Sequence, residues 1–316
     1  DLHPRVRRQR QMCIRDSYLT SDFMALSYQK KLIETVIDAH KTGKSLADDP
    51  IFAEAATPKK SPAVATIYAH LEGMMGWTEF DMKLRDDFIY FTGVCHETDT
   101  CFTFMNVLRQ QESVEGFPGE ALPSTAFYFT KQGVTDWASL LSYGDMQETG
   151  VRTSDVRNRN RELSHYLMEN AGQELVACLF QREDTLQDAA AVLSLSVADV
   201  TEAERMLRTL VNTASADEGR KTPRITFGYT VNKAYLVYRL PQTTLFKQLT
   251  SFVEATLDVY AAFYDGRLLL APDENALSQY IRQLDKGEVL NGVMAYQAGI
   301  CLLYTSPSPR DGLLSR

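Results

Sequence analysis

The sequence is poor in the residues that most often announce a function. Of 316 residues, five are cysteine, five histidine and two tryptophan. No run of about 18 apolar residues occurs, so no segment is long and apolar enough to cross a membrane as a helix. No Gly-x-Ser-x-Gly elbow, His-Glu-x-x-His pair or dinucleotide glycine fingerprint is present. Basic residues are outnumbered, 33 against 41 acidic, for a formal charge of -8. That balance argues against a general nucleic-acid or anionic-membrane surface.

What is present begins with the two ends, which do not read as protein. Met12-Cys13-Ile14-Arg15-Asp16 back-translates to codons whose reverse complement, shifted in frame, encodes Cys301-Leu302-Leu303-Tyr304-Thr305. One short DNA element, read on opposite strands, thus brackets the chain, and it resembles the transposon end used to tag sequencing libraries. The runs 7–11 and 306–311 resemble the adapter extensions on either side. Residues 1–17 and 301–316 are therefore set apart from fold reasoning. The gene segment is expected to run from Tyr18 to Ile300, cut at both ends without regard to domain boundaries. Setting the ends apart removes seven basic and three acidic residues, which leaves 26 and 38 and a charge of -12. The basic N-terminal arm goes with them. Cys95, Cys101 and Cys178 remain, an odd number that gives no disulfide framework.

Along the segment, apolar strands alternate with amphipathic helices. The pattern predicts strands over 63–71, 79–84, 88–95, 126–130, 174–180, 190–197, 224–229 and 234–240. It predicts helices over 101–110, 136–143, 154–170 and 202–211. Asp265-Gly266 between two apolar runs predicts a tight hairpin, because both turn positions need positive φ. The polar stretch 211–224 reads as a loop and as the internal boundary, which gives subdomains over 18–212 and 213–300. Short turns between strands imply antiparallel sheets with helices packed on one face, an α+β fold.

A repeat is expected near the two ends. Strand 22–27 precedes a helix that ends at Gly43, with Leu46 three residues on; strand 267–272 precedes a helix that ends at Gly287, with Leu290 three residues on. The helix-to-glycine spacing, read from sequence, differs by one residue. The second copy carries a hairpin whose first strand the first copy is expected to lack, leaving strand 22–27 without its partner.

Several of these stretches together resemble a family of uncharacterised envelope proteins from Bacteroidetes. They are the unit ending Gly43-Lys44-Ser45-Leu46-Ala47-Asp48-Asp49-Pro50-Ile51-Phe52, the strand Phe88-Ile89-Tyr90-Phe91-Thr92-Gly93 with the following Ala121-Leu122-Pro123-Ser124-Thr125-Ala126, the helix opening Asp136-Trp137, and the closing hairpin and helix at 257–290. The resemblance implies a cell-envelope location, periplasmic or surface-exposed, with membrane attachment only through an anchor outside this sequence. It implies no catalytic residue.

Each candidate for chemistry has a plainer reading beside it. Thr42-Gly43-Lys44-Ser45 invites a phosphate loop, but Asp38 stands where that motif needs its first glycine. Gly43 closes a helix, where carbonyls face outward, and is read as a C-cap. Cys95, His96 and Cys101 are the metal candidates; a Cys95–Cys101 disulfide and packed thiols are the alternatives, and packed thiols are expected. Arg152, Arg157, Arg159 and Arg161 form a basic cluster, read as a solvated helix face paired with Glu148, Asp155 and Glu162. His40, His70 and His165 are scattered, and no cofactor is expected. The reading is a non-catalytic binding or scaffold protein of the envelope, whose partner is a protein or envelope component and not a nucleic acid. A hydrolase with dispersed carboxylates is the alternative.

Overall fold

The computed structural model describes residues 16–56, 63–85, 88–97, 103–116, 118–147, 153–183, 189–218, 224–250 and 257–305. The chain forms two units, one of Asp1–Leu71 with Met75–Thr98 and one of Glu72–Met74 with Asp99–Arg316. Each is taken by itself.

The first unit opens with a hairpin of β1 (Asp16–Leu19) and β2 (Met24–Ser27), followed by α1 (Lys30–Thr42). Gly43 then takes φ 66° and its N–H caps the carbonyls of the last helical turn. A 3-10 turn at Leu46–Asp48 leads to α2 (Pro50–Ala55). The Asp49 carboxylate caps α2, and Pro50 sits where no backbone donor is needed. Strands β3 (Ala65–Leu71), β4 (Met75–Arg85) and β5 (Phe88–His96) form a separate antiparallel sheet in that order. One expectation is corrected: the strand ending at Ser27 has a partner. Asp16 and Ser17, set apart by sequence as adapter residues, pair with Ser27 and Leu26. A ladder is built from backbone N–H and C=O groups, so it does not depend on what encoded the side chains.

The second unit is built on a seven-stranded antiparallel sheet. Its elements are α3 (Phe104–Arg109), β6 (Ala126–Gly133), α4 (Trp137–Gln147), α5 (Ser154–Asn170), β7 (Ala171–Gln181), β8 (Ala189–Val197), α6 (Val200–Glu218), β9 (Ile225–Tyr229), β10 (Ala234–Arg239), α7 (Leu245–Thr250), β11 (Tyr260–Tyr264), β12 (Arg267–Ala271), α8 (Glu274–Asp285), a 3-10 turn at Leu290–Gly292 and α9 (Met294–Thr305). The strand order is β6-β7-β8-β12-β11-β10-β9. The fold is α+β, as expected. Asp265 and Gly266 take φ 48° and 75° and close the β11–β12 hairpin.

The boundary expected between 212 and 213 is not one. Helix α6 continues through it to Glu218, and strands from both sides share one sheet, with Leu270 opposite Leu193 and Leu268 opposite Leu195. Polarity misled the reading: the solvated face of a helix, here with Asn212 and Thr213 exposed, is as polar as a loop.

Alternation along the central strands feeds two cores. Leu193, Leu195, Leu268 and Leu270 pack with Leu140, Leu163, Tyr166, Leu207 and Phe246 from α4 to α7 on one face. Val192, Leu269, Ala262 and Ala271 pack with Leu277, Tyr280 and Ile281 of α8 on the other. Helices thus lie mainly on one face, with α8 covering part of the second. Buried Asn160 of α5 ties down the start of α7, because its Oδ1 accepts from Thr243 Oγ1 at 2.7 Å and Thr244 N–H at 3.1 Å. Leu193→Ala, at the centre of the sheet, is expected to cost about 3 kcal/mol in urea unfolding. Leu26→Ala on the first hairpin is expected to stay within about 0.5 kcal/mol, since Leu26 is largely exposed.

Candidate functional site

The three-stranded sheet of the first unit has two unlike faces. Register places Trp77 opposite His96, Glu79 opposite Tyr68 and Val94, and Lys83 opposite Tyr90 on one of them. Helix α2 packs on this face. Asp49 Oδ1 accepts from the N–H groups of Ile51 and Phe52, and its Oδ2 accepts from Trp77 Nε1 at 3.1 Å. These bonds, the Phe52 N–H first, hold the Asp49 carboxyl below its usual range. Phe52 sits edge-on to Trp77 with ring centroids 4.7 Å apart, and His70 lies against the same indole. One carboxylate therefore both starts α2 and anchors it to β4.

Of the metal candidates, the two described, Cys95 and His96, do not converge. Cys95 and His96 are neighbours in β5, so their side chains leave opposite faces of the sheet. The Cys95 Sγ is 3.0 Å from Thr78 Oγ1 and 3.3 Å from Glu97 Oε1, while His96 Nδ1 is 3.6 Å from Glu54 on the α2 side. Burial pushes the Cys95 thiol up, away from the thiolate a metal requires. Cys101 lies outside the described residues. Among the described residues no three Cys, His, Asp or Glu side chains are placed to hold a metal ion.

The other face of this sheet is apolar and open. Ala65, Ile67, Phe80, Met82, Leu84, Ile89 and Phe91 share it, by the pairings Ala65–Met82–Phe91, Ile67–Phe80 and Leu84–Ile89. Ile67, Leu84, Ile89 and Phe91 are 45–65% exposed. Glu79, Asp81, Lys83 and Arg85, the charged residues of β4, all fall at register positions of the opposite face. A contiguous apolar strip without charge is uncommon on a solvated surface. The sequence did carry a signal for it: Phe80, Met82 and Leu84 alternate with charged residues. Alternation identifies the apolar face but not whether anything covers it.

In the second unit the α8 face of the sheet turns polar beyond the helix. Glu174, Ser194, Ser196, Arg267 and Tyr264 line up across β7, β8, β12 and β11. Most of them border a cleft of about 600 Å³ that also reaches Tyr280 and Asp285. Arg267 donates from Nε to Ser194 Oγ at 2.5 Å and from Nη2 to Glu174 Oε1 at 2.6 Å. Lys131 Nζ lies 3.3 Å from Glu174 Oε2 and donates to the carbonyls of Val114 and Gly116. Two cations share one carboxylate, and the charges are spent on holding four strands and a loop together. Among the described residues the carboxylates whose pKa moves, Asp49, Asp136, Glu202 and Asp285, move down. A general acid at neutral pH needs the opposite shift.

The remaining candidates are placed without convergence. Gly43 is a helix C-cap, as read from sequence. Arg157 and Arg161 are exposed on α5, whose buried face is Val156, Asn160, Leu163, Tyr166 and Leu167; Arg159 is on the same helix, and Arg152 and Glu148 lie outside the described residues. His40 Nδ1 is 2.9 Å from the Tyr18 hydroxyl, and His165 pairs with Glu169 one turn on. Comparison with protein-family models, curated proteins and solved structures returns no match.

The tyrosines set a pH limit. Tyr238 donates to Glu204 Oε1 at 2.7 Å and Tyr264 to Asp285 Oδ1 at 3.1 Å. Burial first, and then these carboxylates, push both phenols up to about 12. The unfolded chain ionises its tyrosines at about pH 10. The stability they contribute is therefore complete below about pH 10 and is lost as pH rises to about 12. Urea midpoints of the wild type are expected to fall over this interval, and less steeply in Tyr264→Phe; equal slopes would contradict the assignment.

Proposed function

We propose that the chain is a non-catalytic binding module of an envelope-associated protein, and that the open face of β3–β4–β5 takes a protein or envelope component through apolar side chains. The observation that carries this reading is the uncharged strip of Ile67, Phe80, Met82, Leu84, Ile89 and Phe91, with four of the six more exposed than buried side chains of a core would be. The spent charges around Glu174 and the downward-shifted carboxylates support binding over hydrolysis. The envelope location rests on the family resemblance.

The reading is tested by selecting a phage-displayed random peptide library against the full chain. Enriched peptides are expected to carry alternating apolar side chains, matching a pleated surface. The variant Ile89→Lys/Phe91→Lys is expected to weaken them at least about tenfold, since two charges would enter a desolvated contact. Both positions point outward, so circular dichroism should be unchanged. Peptides that bind wild type and variant alike, or no enrichment at all, would sink the proposal.

A further inference from the structure

The two hairpin–helix stretches match at a constant offset. Adding 244 to each residue number of the first carries its hairpin register onto the second: Asp16↔Ser27 becomes Tyr260↔Ala271, and Leu19↔Met24 becomes Phe263↔Leu268. The same offset carries α1, from Lys30, onto α8, from Glu274, and Gly43 at φ 66° onto Gly287 at φ 73°. It corrects the spacing read from sequence: from helix start to glycine both are equal. Backbone hydrogen bonds around the glycine correspond. Lys44 N–H to Ala39 O becomes Glu288 N–H to Gln283 O, and Asp49 N–H to Leu46 O becomes Val293 N–H to Leu290 O. The 3-10 turns Leu46–Asp48 and Leu290–Gly292, and the starts of α2 and α9 at Pro50 and Met294, also coincide.

Their surroundings differ. In the second stretch β8 lies beside β12 and β10 beside β11, so the hairpin is central in its sheet. Leu268 and Leu270, on the side away from α8, are 2 and 3% exposed against the α4–α7 layer; their counterparts Met24 and Leu26 are 60 and 55% exposed. Helix α8 buries six residues and α1 buries only Ile33. Among the described residues β1 and β2 pair only with each other. A two-stranded hairpin with one apolar face uncovered is marginal alone.

We infer that residues 18–56 are a duplicate of residues 262–300, and that the uncovered side of β1–β2 is a docking surface for a sheet body of the kind β6 to β10 and α4 to α7 form, with that body's β8-like and β10-like strands adding to β2 and β1. The occupant is fixed by the second copy, where the same hairpin, in the same register, is seated between those two strands. Open strand edges supply the ladder, and Met24 and Leu26 supply the apolar contact. The inference does not rest on the β3–β5 face.

The test adds the occupant to the full chain. A second copy of residues 99–259 is inserted between residues 15 and 16, so that the added body ends where β11 would begin. Amide hydrogen exchange in β1, β2 and α1 is expected to slow at least about tenfold relative to the original chain, as edge strands become central. Two controls separate docking from a general effect. An insert of residues 99–305 brings its own module, fills its own seat and is expected to leave β1–β2 exchange unchanged. Leu26→Asp in the 99–259 extension is expected to restore fast exchange. Equal exchange in the extended and original chains, or equal slowing with the 99–305 insert, overturns the inference.

Discussion

The antiparallel pairing of β8 with β12 holds the second unit together. It brings Leu193 opposite Leu270 and Leu195 opposite Leu268, residues more than seventy positions apart in the chain. Both strands are covered on both faces at this point, so each contributes to two cores at once. That explains their composition: Ala189–Leu195 and Leu268–Ala271 read as nearly continuous apolar runs, the signature of strands that have no solvent side. Where α8 ends, the same face admits Ser194, Ser196 and Arg267, and their polarity is absorbed by Glu174 and Lys131. A lone buried cation there would be costly; paired through one carboxylate, it instead locks neighbouring strands in register.

The first unit is organised on a different principle. Its three-stranded sheet has a covered face, where Asp49, Phe52 and Trp77 fasten α2, and an uncovered one that is apolar and uncharged. The arrangement puts the anchoring polar groups on the side away from the apolar strip. The same economy appears in Cys95 and His96, which share a strand but not a face, so their adjacency in sequence has no chemical consequence. The downward shifts of Asp49 and Asp285 belong to capping and tethering.

The hairpin–helix stretches at 16–56 and 260–305 show how little of a local plan depends on burial. Turn, helix, left-handed glycine and 3-10 turn recur at one offset, although one hairpin is central in a seven-stranded sheet and the other stands as a pair. The hairpin ladder and the glycine C-cap are made within each stretch, so the backbone geometry recurs in different surroundings. What the layers change is the stability of the stretch and what it can accept as a neighbour.

Local events are written in the sequence. The helix expected over 154–170 is the observed Ser154–Asn170. The Asp265-Gly266 turn and the Gly43 C-cap followed from their φ requirements. These are contacts between residues a few positions apart, and they leave a direct trace in composition and spacing. Long-range packing is what makes α6 run past residue 212 inside one unit, sets β8 beside β12, and leaves the alternating strip of β4 and β5 uncovered. Strand neighbours are chosen among many apolar strands of similar pattern, at a loop-closure cost that varies only slowly with chain length. The pattern can say which side of a strand seeks cover, and only the packed chain says which sides find it.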